Sequence, residues 1–175
     1  MAYQMPLHRT KCRYVAGIDP DLDKSGLVIY DRDKRAWWCG TLPLFDLLLF
    51  LQTDFTTADL EIIVEAGWLV PGFHHFAGFP PGFDKRPLEA RYAYLAEVAA
   101  RVGQNFGIGR TLVRMLTAHG FSVTEARPPK PPKRKKGEKK QSAKWDAARF
   151  MEMTSLAYGY NPEVRDACRT MYPFK

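Results

Sequence analysis

Four carboxylates stand where they could act together. Asp19 closes the apolar run YVAGID, Glu65 closes LEIIVE, and Glu163 and Asp166 lie three residues apart in PEVRDACRTMY, hence on one face if that segment is helical. Another valine would continue either apolar run more favourably, because an isolated buried carboxylate costs several kcal/mol. Each acid alone has an ordinary use. Asp19 could start the turn DPDLDKSG, Glu65 could be a solvated strand end, Glu163 could favour a helix N-terminus, and Asp166 could pair with Arg165 or Arg169 on the surface. Converging on one point, however, they would repel one another unless divalent cations sat between them. Mg²⁺ or Mn²⁺ prefers such hard oxygen ligands. Two ions about 3.5–4 Å apart can activate a water and stabilise the leaving oxygen in phosphodiester hydrolysis.

The elements that would position these acids follow from the punctuation of the chain. Residues 13–19 read as a strand, DLDKSG as a turn and LVIYD as a second strand; a further turn at DRDK leads to AWWCGTL, giving a three-stranded meander. Pro43 marks a helix onset with Thr41 as a candidate cap. LEIIVE is then a fourth strand, expected to lie parallel to a neighbour after a right-handed crossover. If it pairs beside the first strand, Asp19 and Glu65 share the carboxyl edge of the sheet, about 5 Å apart by strand spacing, where open sheets of this kind place their sites. Residues 66–87 carry Gly, Pro and Phe without a period and read as a long aromatic loop. A helix is predicted over 88–119, weakened by Gly103, Gly107 and Gly109, which point to a kink, a break or a close crossing. FSVTEAR is a fifth strand, QSAKWDAARFMEMTSLAYG a helix, and Asn161 and Pro162 cap and open the last one.

At 175 residues with 46% hydrophobic content, the chain is expected to form one domain over 1–175. Nothing approaches the roughly 18 apolar residues of a membrane span or the layout of a secretory signal, so a cytoplasmic protein is expected. Cys12, Cys39 and Cys168 have neither disulfide-framework nor zinc-site spacing. The formal charge of +7 is local: residues 127–140, RPPKPPKRKKGEKK, hold eight basic residues and one Glu, leaving 18 basic and 18 acidic residues elsewhere. Arg127, Lys130, Lys133, Arg134, Lys135, Lys136, Lys139 and Lys140 thus form a cluster suited to a polyanion such as nucleic acid. A solvated flexible linker has the same composition.

The order of these segments resembles that of RuvC-type Holliday-junction resolvases, nucleases of the RNase H-like superfamily. GIDPDLDKSGLVIYD resembles that family's first strand and hairpin, IIVEAGW its fourth strand with the second acid, and GQNFGIGRTLVRMLTAHGFSVTEARPPK its Gly-Gln…Gly helix, following strand and Arg…Lys exit. SAKWDAARF resembles the next helix start, and EVRDAC the closing acid-x-x-Asp-Ala motif. The resemblance implies an α/β, RNase H-like fold: a five-stranded mixed sheet, antiparallel through strands 1-2-3 and then parallel in strands 4 and 5, flanked by helices. It further implies an Mg²⁺-dependent endonuclease, with Mn²⁺ as a substitute, that cleaves four-way or other branched DNA by a two-metal mechanism. Asp19, Glu65, Glu163 and Asp166 would be its metal ligands and Lys144 would lie near the scissile phosphate. The basic segment would contact DNA backbones, Trp68 would be an aromatic able to enter the junction centre, and the working unit would be a homodimer with no small-molecule cofactor. Asp21 stands where the family prefers glycine, Glu163 replaces Asp or His, residues 69–87 lengthen a connection, and the last helix is short. Two other functions share the fold: an RNA-processing nuclease, whose Asp-Glu-Arg-Leu-Thr-type motif has no counterpart here, and a nucleic-acid-binding module with impaired catalysis.

Overall fold

The computed structural model describes residues 12–70, 79–128 and 144–175. Strands β1 (Tyr14–Asp19), β2 (Ser25–Asp31) and β3 (Ala36–Leu42) form the meander. Helix α1 (Leu44–Asp54) leads to β4 (Leu60–Glu65), and α2 (Leu88–Ala118) to β5 (Ser122–Ala126); α3 (Ala147–Thr154) and α4 (Pro162–Met171) follow. The strands order as β3-β2-β1-β4-β5. Pairing is antiparallel from β3 through β1 and parallel from β1 through β5, so the mixed sheet is the expected one.

Alternation along the strands assigns each side chain to one of two cores. Ala16 and Ile18 of β1 and Ile62 and Val64 of β4 pack with Leu47, Leu51, Leu112 and Leu116 of α1 and α2. Val15 and Ile63 face the other way and pack with Phe150 of α3 and Val164, Ala167 and Met171 of α4. By the same period of two, Asp19 and Glu65 fall on the side of α4. Two glycines let α4 come close. A Cβ on Gly17 would lie 2.4 Å from the Ala167 carbonyl oxygen, and one on Gly26 would lie 2.3 Å from that of Glu163. Only a residue without a side chain fits either place. α4 therefore rests directly on β1 and β2, with its first turns over the end of β1.

Three local expectations change. Thr41 lies within β3 opposite Gly26 rather than capping α1, whose N-cap position is Pro43 with no side-chain bond. α2 runs unbroken through Gly103, Gly107 and Gly109; at Gly109 the close neighbour is the Trp68 side chain rather than a crossing helix, since an added Cβ would meet it at 2.3 Å, while Gly103 and Gly107 face open space. The helix expected around 141–159 is shorter: Asp146 caps it by accepting from the Arg149 N–H, and Ser155 ends it in the left-handed region at φ 60°. Asn161 caps α4 as expected, accepting from the Val164 N–H. Among the described residues no helix is long and apolar enough to cross a membrane. The aromatic loop lies partly outside the described residues, at 71–78.

Candidate active site

The sheet register brings the first two acids together. Ile18 pairs with Val64 in the parallel β1–β4 ladder, so Asp19 and Glu65 are the next residues out on adjacent strands. Asp166 arrives from α4. The three line a cleft of about 160 Å³ with Lys144, Trp68, Asn105, Asp21 and, at the start of α4, Glu163. Glu65 and Asp166 are buried, at 8% and 3% exposure; Glu163 is half-buried.

Enclosing acids this close together shapes their protonation. Burial pushes Asp19 well above the ordinary carboxylate range, and the fields of Glu65 and Asp166 push the same way. Burial also raises Glu65, against the bonds from Thr170 and Arg169 that pull it down. Burial works against the Lys144 ammonium, but its bond to Asp166 and the fields of Asp166, Asp19 and Glu65 prevail and raise its pKa. Lys144 Nζ lies 2.5 Å from Asp166 Oδ2. It thereby pairs with an acid that is only 3% exposed.

Thr170, which the sequence did not single out, and Arg169, considered only as a surface partner of Asp166, complete the site. Thr170 Oγ1 donates to Glu65 Oε2 at 2.5 Å. Arg169 Nη2 lies 3.4 Å from the same oxygen and 3.8 Å from Asp166 Oδ1, and the arginine is itself buried. The surface pair considered for Asp166 is thus an interior one. The signal was present as spacing, since Arg169 and Thr170 follow Asp166 by three and four residues on one helical face. Asn105 was missed as well: its Nδ2 donates to Asp21 Oδ2 at 3.3 Å, while Asp21 Oδ1 accepts from the Asp23 N–H. Asp21 therefore organises its own turn and ties it to α2.

Trp68 is held rather than free. Its ring packs on Gly109 and edge-on to Phe106, and its Nε1 donates to Glu125 Oε2 at 2.5 Å. Exposed Arg110 and Arg114 line a second, shallower cleft on Trp68 and Glu125; they too escaped the sequence reading. Arg127 is exposed immediately after β5, at the edge where Ala126 pairs with Glu65. Lys130, Lys133, Arg134, Lys135, Lys136, Lys139 and Lys140 lie outside the described residues.

The donor set suits a hard divalent cation: every candidate ligand is a carboxylate, and Asp166 Oδ1 is buried without a hydrogen-bond partner among the described residues. As the side chains stand, no three acid, imidazole or thiol groups among the described residues are placed to hold one ion together. Lys144 and Arg169 stand among the acids instead.

Sheet order and a helical layer on each face give the chain an RNase H-like fold. Among solved structures, the chain is similar to RuvC of T. thermophilus in complex with a Holliday junction substrate. The two share 15% identity with a TM-score of 0.51, over 90% of this chain and 88% of that one. At that identity the likeness speaks for the fold. No protein-family model and no curated protein sequence matches the chain.

Proposed function

We propose that this protein is a divalent-metal-dependent endonuclease acting on branched DNA, of the crossover-junction resolvase type. The observation that carries the reading is the convergence of Asp19, Glu65 and Asp166, from three separate elements, in one cleft with Lys144. Asp19, Glu65 and Asp166 would hold Mg²⁺ or Mn²⁺, with Glu163 at the rim for a second ion. Bound there, the metal would supply activation of water and stabilisation of the leaving oxygen. The chain's own residues do the rest. Lys144 pairs with Asp166 and sets a positive charge at the cleft to meet a phosphate. Trp68 forms a wall against which a base can stack.

The DNA backbone would be held by the basic segment. Its first residue, Arg127, follows Ala126, which pairs with Glu65, and the described chain resumes at Lys144, which lines the cleft. The working unit would be a homodimer. No residue of α2 from 88 to 108 is buried, and Leu88, Tyr92, Leu95 and Ala99 repeat there at spacings of four and three, the seam of a helix pair.

The test is nicking of a synthetic four-way junction with Mg²⁺. Asp19→Asn is expected to lower the rate about a hundredfold or more while leaving junction binding intact; equal rates would overturn the assignment. A second reading, a binding module of this fold that does not cleave, is favoured by the two cations standing among the acids. Tight junction binding with no cleavage at any divalent ion would select it.

A further inference from the structure

The two cations at the acid cluster are not equivalent. Lys144 reaches Asp166 from the solvent side, with its side chain 66% exposed. Arg169 is 7% exposed and reaches both Glu65 and Asp166, one helical turn beyond Asp166 in α4. An exposed lysine can swing away when an ion or a phosphate arrives. A guanidinium packed inside cannot leave in the same way.

Burying Glu65 and Asp166 without a partner would be costly. In a carboxylate metal site the ion itself usually offsets that cost. Here an arginine does so in advance, and it shares Glu65 Oε2 with the Thr170 hydroxyl. With one carboxylate oxygen engaged by two donors, Glu65 is oriented before any ion binds. The same positive charge, a few ångströms from where an ion would sit, opposes its binding.

We propose that Arg169 is a resident counter-cation and positioning residue: it holds Glu65 and permanently lowers the affinity of the acid cluster for a divalent ion. The proposal rests on the metal-dependent reading above. It follows that the site keeps its shape without metal and loads only at high ion concentration. It also follows that Mg²⁺ occupancy depends on additional negative charge, which the phosphate of a bound DNA supplies.

The test is Mn²⁺ binding to the full chain, followed by electron paramagnetic resonance of free Mn²⁺, together with melting temperatures in EDTA and in Mn²⁺. Arg169→Met is expected to bind Mn²⁺ at least about tenfold tighter than wild type, to melt lower in EDTA, and to regain most of that loss in Mn²⁺. Arg169→Lys, which restores the charge, is expected to bind as wild type does. If Arg169→Met does not fold in EDTA, Arg169→Gln keeps a donor toward Glu65 without the charge and is expected to show the same tightening. Wild-type binding that Asp19→Asn abolishes, with no tightening in either neutral variant, overturns the proposal and leaves the metal site standing. Absence of Mn²⁺ binding in wild type and in both neutral variants overturns the metal reading and the proposal with it.

Discussion

The role proposed for Lys144 lies in chemistry more than in stability. Its ammonium bonds Asp166 at 2.5 Å, yet the side chain is two-thirds exposed, and an ion pair that open to water contributes little to folding. Lys144→Met is therefore expected to change the unfolding free energy by less than about 1 kcal/mol, read from a urea midpoint. Its initial rate on a four-way junction should fall by roughly tenfold or more. Loss of stability in step with loss of activity would make Lys144 a structural residue instead. At this scale the sequence was readable where an acid interrupted an apolar run, as at Asp19 and Glu65. Arg169 was readable as a partner of Asp166 but not as a buried one, because an arginine on an amphipathic helix resembles a solvated one until its neighbours are known.

Among the elements, α4 has the narrowest tolerance, because it carries Asp166 and lies directly on the strand that carries Asp19. Gly17→Ala would place a Cβ 2.4 Å from the Ala167 carbonyl oxygen and 2.6 Å from the Met171 Cβ. Neither obstacle is a flexible chain end, so the helix has to move. A loss of about 1–3 kcal/mol is expected from such overpacking, with junction cleavage lost as Asp166 withdraws. Gly103→Ala in α2 meets nothing within 4 Å and is expected to stabilise by about 0.5–1 kcal/mol. Thermal melts of the two variants therefore move in opposite directions. The same helix carries the exposed stripe with Tyr92 at 63% and Leu95 at 38% exposure. Leu95→Glu should convert a dimer to a monomer by light scattering without lowering the melting temperature, since nothing in the fold depends on that side chain's burial.

For the whole molecule, the division between a charge-balanced body and a basic segment has a direct consequence for DNA binding. Outside residues 127–140 the chain carries equal numbers of basic and acidic residues, so long-range attraction to phosphate comes chiefly from one place. Replacing Arg127 and the seven lysines and arginines from Lys130 to Lys140 with glutamine should flatten the salt dependence of junction binding. The slope of log affinity against log salt is expected to fall by up to about 0.9 for each phosphate contact removed, measured by fluorescence anisotropy. The melting temperature should hold. An unchanged slope would move the phosphate contacts to the body, where Arg110 and Arg114 flank Trp68.

The antiparallel meander, the acids at two strand ends and the capped last helix were all in the sequence, while the place of β4 beside β1 stood there only as a condition. Hydrophobic periodicity and turn chemistry are local, and a period of two leaves a strand-end residue little choice of side. Asp166 was legible through its spacing from Glu163. What only the tertiary structure decided was contact between distant segments. It seated α4 on Gly17 and Gly26, pressed Trp68 onto Gly109, and enclosed Arg169 between two acids whose charges it offsets. YVAGID ends on an acid because the fold brings that residue, and two more like it, to a cleft where an exposed lysine and a buried arginine already stand; which cation lies deepest depends on how one helix packs, and no local pattern records that.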